Sequence, residues 1–247
     1  MISVGNTANS GVLAAASSTT FSLNNNKQDV VVLVAIRDAA TTATATVTYN
    51  GEAMTEDKMQ FFDDPDGAND LRAYVFRKTG AATGANDVVV TFSSSVDHAG
   101  VWAVAVDGLD SSGQPDATNG DGKNNSAGLD PSITLTTIDA NTIIFGVVYS
   151  KHDAGGGSFT AASGSTSVGQ LNVNGGGDRA MANYKIVSSP GSNTISWTGN
   201  GAYDDWVYAA AAYKQAAAAT GRLFRTPILN GLAGVGQQLF NPTLTGV

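Results

Sequence analysis

From residue 20 to residue 213, short apolar runs break every 8–15 residues at Gly, Asn, Asp or Ser. Strands joined by turns produce this punctuation, and spacings this short leave no room for crossover helices. The spacing predicts strands over 20–24, 29–37, 44–49, 71–78, 86–93, 100–107, 132–137, 141–149, 180–187, 193–198 and 205–213. Val30 to Ile36 is continuously apolar, which suits a strand buried on both faces. Thr44, Thr46 and Thr48 alternate with Ala45, Val47 and Tyr49, the period of a half-exposed strand. The acids favour the same outcome. Of 21 acidic residues only Glu52 and Glu56 are Glu, and Asp prefers turns and caps to helix surfaces. The expected fold is an all-β, antiparallel sandwich, jelly-roll-like, spanning 1–219 and followed by an extended tail over 220–247.

The chain resembles itself. DVVVLVAIRDA (29–39) matches NTIIFGVVYSK (141–151), and residues 71–92 match 179–197 with Phe92 opposite Trp197. GVWAVAVDGL (100–109) matches DWVYAAAAYK (205–214), with Trp102 opposite Trp206. A duplicated four-strand unit making the two halves of one sandwich accounts for these pairs. It also decides the segment YAAAAYKQAAAA, which Ala propensity alone would make helical. Its alignment with VWAVAVDGL makes 205–213 a strand.

Charge divides the chain at Gly221. Residues 1–221 carry 11 basic and 21 acidic groups, whereas 222–247 hold two Arg and no acid. A net charge of −8 opposes a grip on nucleic acid or an anionic membrane, and no run of 18 apolar residues exists to span one. With no cysteine, disulfides and thiolate chemistry are excluded. MISVGNTANSGVLAAASST lacks the basic start and long apolar core of an export signal. The expectation is folding in a host cytoplasm, with an extracellular or cell-surface location as the alternative. The tail holds Leu223, Phe224, Ile228, Leu229, Leu232, Leu239 and Phe240, too apolar for a solvated segment. Docking on a neighbouring subunit or an assembly partner is expected of it.

Chemistry-bearing residues are sparse. The only histidines, His98 and His152, lie in unrelated loops. Paired carboxylates for glycoside hydrolysis would have to come from Asp63, Asp64, Asp204 and Asp205. Hard oxygen ligands close in sequence suit Ca²⁺, and DDPDGAND places Asp63, Asp64, Asp66 and Asp70 together, without the distal Glu of a calcium loop. The stretch 107–130, expected to be one long loop, offers Asp107, Asp110, Asp116 and Asp121 as a second candidate; turn-making Asp is the plainer reading of both. The Gly-rich stretches 80–87 and 174–179 lack the Lys and following helix of a phosphate cradle, and read as hairpin turns. Trp102, Trp197 and Trp206 fall in strands, where core packing outweighs a sugar-stacking platform.

VTYNGEAM (47–54), GANDVVVTFSSSVD (84–97), VWAVAVDGLD (101–110), SNTISWTG and DWVYAAAAY resemble a β-sandwich domain found in virion proteins of tailed phages and in bacterial surface proteins. LFRTPILNGLAGVGQQLFNP (223–242) is similar to short tails, rich in Leu, Phe, Asn-Gly and Asn-Pro, of some marine phage and bacterial proteins. The resemblance implies a non-enzymatic virion structural protein, a capsid decoration protein or surface fibre subunit. A homo-oligomer, a trimer by preference, in contact with other virion proteins is expected. The alternatives are a calcium-assisted, carbohydrate-binding adhesin and, behind it, a secreted glycoside hydrolase.

Overall fold

A computed structural model of the chain describes residues 1–38, 43–64, 70–124, 130–151, 158–174, 177–199 and 205–217. Residues Met1–Ala217 make one compact unit, and Ala218–Val247 lie outside the described residues. Among the described residues there are fifteen strands and no helix, all strand pairs being antiparallel. They are β1 (Ser3–Asn25), β2 (Asp29–Asp38), β3 (Ala45–Tyr49), β4 (Glu52–Ala53), β5 (Thr55–Phe62), β6 (Asp70–Lys78), β7 (Gly84–Asp107) and β8 (Ala117–Lys123). Then follow β9 (Ser132–Thr137), β10 (Thr142–Lys151), β11 (Phe159–Ala161), β12 (Thr166–Asn172), β13 (Arg179–Val187), β14 (Gly191–Gly199) and β15 (Asp205–Lys214). The protein is an all-β sandwich, as the punctuation of the sequence requires. β15 is a strand despite its alanines, because β10 and β8 pair with it along both edges.

Two repeats of the same topology build the body. In the first, β1, β7, β2, β6 and β5 lie side by side; in the second, β8, β15, β10, β13 and β12 take the same order. Each repeat folds a second layer over one face of that sheet. The first half of β7 is flanked by β3 and the second half of β1, and β14 is flanked by β11 and β9. The long ribbon of β1 and β7 in the first repeat thus corresponds to β8–β9 and β14–β15 in the second, where the chain breaks at the corner instead of bending through it. Register shifts in β1 after Val4, Asn9 and Ala16 supply that bend.

Three cores follow from the four layers. Val30, Val32, Val34 and Ile36 on one face of β2 pack on Val47, Val88, Val90 and Phe92 within the first repeat. Ile144, Val148 and Tyr208 pack on Ile133, Ile195 and Trp197 within the second. The other faces meet in a shared core, where Val31, Leu33, Ala35 and Trp102 oppose Phe145, Val147, Ala209 and Tyr213. A strand serving two cores needs apolar side chains on both faces, which explains the unbroken run from Val30 to Ile36. The expected single sandwich is therefore two small sandwiches sharing a third core.

Two readings need correction. Trp102 faces the shared core whereas Trp206 faces the core of its own repeat, so the two are not equivalent. Both strands are apolar on each face, and matching tryptophans by type ignored the period of two. The stretch 80–87 does not close a hairpin: β6 and β7 each pair with β2, and the chain there turns the corner between layers. Close packing fixes Gly146, since a Cβ there would lie 3.0 Å from the Trp197 ring.

Candidate functional site

Several buried charged side chains lie where the two repeats meet, whereas Asp38 and Arg72 are buried within the first repeat. Arg37 and Tyr149 occupy matching positions on β2 and β10, near the ends of the two strands that line the shared core. Between them sits Asp178, whose Oδ2 accepts from Arg37 Nη1 at 2.7 Å and from the Tyr149 hydroxyl at 2.9 Å. Asp178 is 1% exposed. One carboxylate thus ties a strand of each repeat in a geometry where charge-assisted bonds are strong. Burial, with Asp178 adding to it, pushes the Tyr149 hydroxyl well above its ordinary range, so it stays a donor.

At the far end of the same core the arrangement recurs. Asp57 on β5 accepts from Arg77 Nε at 3.0 Å and from the Tyr213 hydroxyl at 2.8 Å. Tyr213 is likewise held protonated by burial and by Asp57. A third tie uses Lys151, which donates to Asp64 of the first repeat at 3.0 Å and to Asp205 of the second at 3.4 Å.

This geometry places most of the expected site residues. Asp64 and Asp205, two members of the carboxylate set considered for glycoside hydrolysis, do come together, but with the Lys151 ammonium between them. Both are buried. Asp70 opens β6 beside Arg72, 3.8 Å away, and burial holds its carboxyl above the usual range, with Asp63 and Asp38 opposing ionisation further. Asp66, His152 and Asp204 lie outside the described residues, as do all seven apolar tail residues from Leu223 to Phe240. Among the described residues no three His, Asp or Glu side chains are grouped to hold a metal ion.

In the second acidic segment each carboxylate has separate work. Asp107 pairs with Lys27, Asp110 accepts from the Ser112 amide, Asp116 accepts from the Ile138 amide, and Asp121 accepts from the Gly122 amide. That segment is not one long loop, since β8 runs through it. Trp102, Trp197 and Trp206 are 1%, 0% and 5% exposed, so none offers a sugar platform.

Sequence reasoning missed Arg37, Asp57, Arg77, Tyr149, Asp178 and Tyr213. Arg37 carried a usable signal, as a cation closing an otherwise apolar strand must find an acid. The identity of that acid, 141 residues away, did not. Comparison with models of known families, with curated proteins and with solved structures finds no match for this chain.

Replacing Asp178 by Ala takes the shared acceptor from a half-buried guanidinium and a buried hydroxyl. The expected loss is about 3–5 kcal/mol of unfolding free energy, read from urea titration. His98, paired with Arg37 across β2 and β7, gives a pH dependence. Burial, seconded by Arg37 and opposed by Asp178 and Asp97, lowers its pKa. The unfolded chain therefore takes up the proton first as pH falls below about 6.5. Its contribution to stability is complete above that pH and is lost between it and the lower folded value. Urea titrations at pH 7.5 and pH 5.5 should show this fall, and His98→Gln should remove that part of it.

Proposed function

We propose that the chain is a non-enzymatic structural subunit of a tailed-phage virion, a capsid decoration protein or surface fibre subunit that assembles in the host cytoplasm. The observation that carries this reading is the use made of the buried charges. Arg37–Asp178–Tyr149, Arg77–Asp57–Tyr213 and the Lys151 pair with Asp64 all tie one repeat to the other. Polar groups spent on cross-ties favour a rigid building block over a reaction centre, which needs a nucleophile or acid–base pair open to substrate. The apolar, acid-free segment 222–247 supplies the means of attachment. Burying seven large apolar side chains yields on the order of 10–20 kcal/mol gross. Fixing 26 backbone residues costs an amount at least as large, at about 1–2 kcal/mol each, so a partner surface is needed to complete the burial. The buried tryptophans take support from the adhesin reading.

The test compares the full chain with one stopped after Gly221, by sedimentation velocity and negative-stain microscopy. The full chain is expected to form regular multi-subunit particles. The shortened chain is expected to keep the same melting midpoint and form no such particles. Equal assembly by both chains, or hydrolysis of glycosides by either, contradicts the proposal.

A further inference from the structure

The repeat provides an internal comparison of sheet edges. In the first repeat β1 is the edge of both layers; in the second, β8 and β9 hold the matching places. Residues 2–26 contain no Asp, Glu, Lys, Arg, His or Pro. Across the shared core, β12 (TSVGQLN) packs beside β1 and is also uncharged. The opposite flank, formed by β5 and β8, carries Glu56, Lys58, Asp121 and Lys123. Open edges invite strand addition, and charge is the usual protection against it. One flank has that protection and its counterpart lacks it.

Backbone directions single out a short stretch. The ladder from Ser18↔Thr91 to Asn25↔Gly84 is unbroken. The Asp87 carbonyl, on the residue opposite Ser22, accepts from the Asn50 amide on the far side of β7. Ser22 therefore turns away from β7, and so does Asn24, whose carbonyl accepts from Asn6 Nδ2 at 2.8 Å. Alternate residues of an antiparallel strand share a direction, so Ser18, Thr20 and Ser22 also turn their N–H and C=O groups outward. Their side chains are exposed. The second repeat treats the matching edge differently. With Phe92 matched to Trp197, Thr20 corresponds to Thr134, whose carbonyl accepts from Asn119 Nδ2 at 2.8 Å. There the edge is covered by the protein's own side chain.

We propose that Ser18–Ser22 pairs antiparallel with the same segment of a second copy of this chain, centred on Thr20, so that the outer layers of two first repeats join across a twofold axis. Charge selects this occupant. Bodies with ten more acids than bases repel one another, and contact without like charges face to face is possible along the uncharged strand. An antiparallel strand is complementary to itself, as a twofold interface requires. Thr and Ser opposite one another add side-chain hydrogen bonds, as Thr134 Oγ1 and Thr194 Oγ1 do at 2.8 Å within the second repeat. The building block is then a dimer instead of the trimer expected from sequence, whatever the tail binds.

The full chain and three variants, Thr20→Lys, Thr20→Glu and Thr134→Lys, are compared by light scattering coupled to size exclusion. At the dilute end of a concentration series, where particles held by the tail dissociate, the proposal expects dimers for the wild type and Thr134→Lys. It expects monomers with an unchanged melting midpoint for Thr20→Lys and Thr20→Glu alone, and dimers again when these two are mixed in equal amounts. Rescue by mixing separates lost pairing from lost folding. A monomeric wild type overturns the proposal. So do dimers that survive Thr20→Lys, and dimers abolished only by polar substitution of Leu223 and Phe224, which would assign the interface to the tail. Loss of multi-subunit particles on truncation with the dimer retained leaves this interface standing, so the two tests fail separately.

Discussion

The shared core between β2 and β10 requires both sheets to be apolar on two faces, and the other features of the body accommodate that demand. Neither sheet can present its inner face to water, because Val31, Leu33, Ile143 and Phe145 are fully buried there. Each sheet must also cover its outer face, which the chain does by turning β7 and β14 back over it. Polar groups near the strand ends then have few places to go. Arg37 and Lys151 reach across to acids, Arg77 pairs with Asp57 on the neighbouring strand, and the tyrosines at 149 and 213 extend the apolar packing while donating to Asp178 and Asp57. Exchanging such a tie for apolar residues need not destabilise the protein, whereas removing one partner does. The ties therefore fix the relative placement of the repeats more than they add net stability.

The proposed structural role rests on these internal ties. On that proposal the molecule would offer others its edges and its apolar segment. The two would differ in kind, an edge adding backbone hydrogen bonds with little apolar burial and a segment rich in Leu and Phe adding apolar burial. Two such modes would suit the proposed subunit, which first forms a small unit and then joins a larger surface.

Much of the fold was legible in the sequence because the period of two and its punctuation are local signals. Val30–Ile36 announced a strand between two cores, and the match of 29–39 with 141–151 announced the duplication. Other features were not local. β1 begins at Ser3, but its Gly, Asn, Ser and Ala residues show no alternation, since it packs weakly and pairs only with β7. β5, β8 and β12 are edge strands whose mixed residues resemble loops. The Trp102 equivalence failed because strands apolar on both faces give no parity to count. The Asp178 tie depends on where chain positions far apart arrive, which composition and spacing do not encode.

Whether the two repeats form one body is the claim on which the rest stands, and differential scanning calorimetry tests it directly. A shared core locked by buried ties predicts a single transition whose calorimetric and van't Hoff enthalpies agree. Two resolved transitions, or a calorimetric enthalpy about twice the van't Hoff value, would show that the repeats unfold independently and would contradict the account.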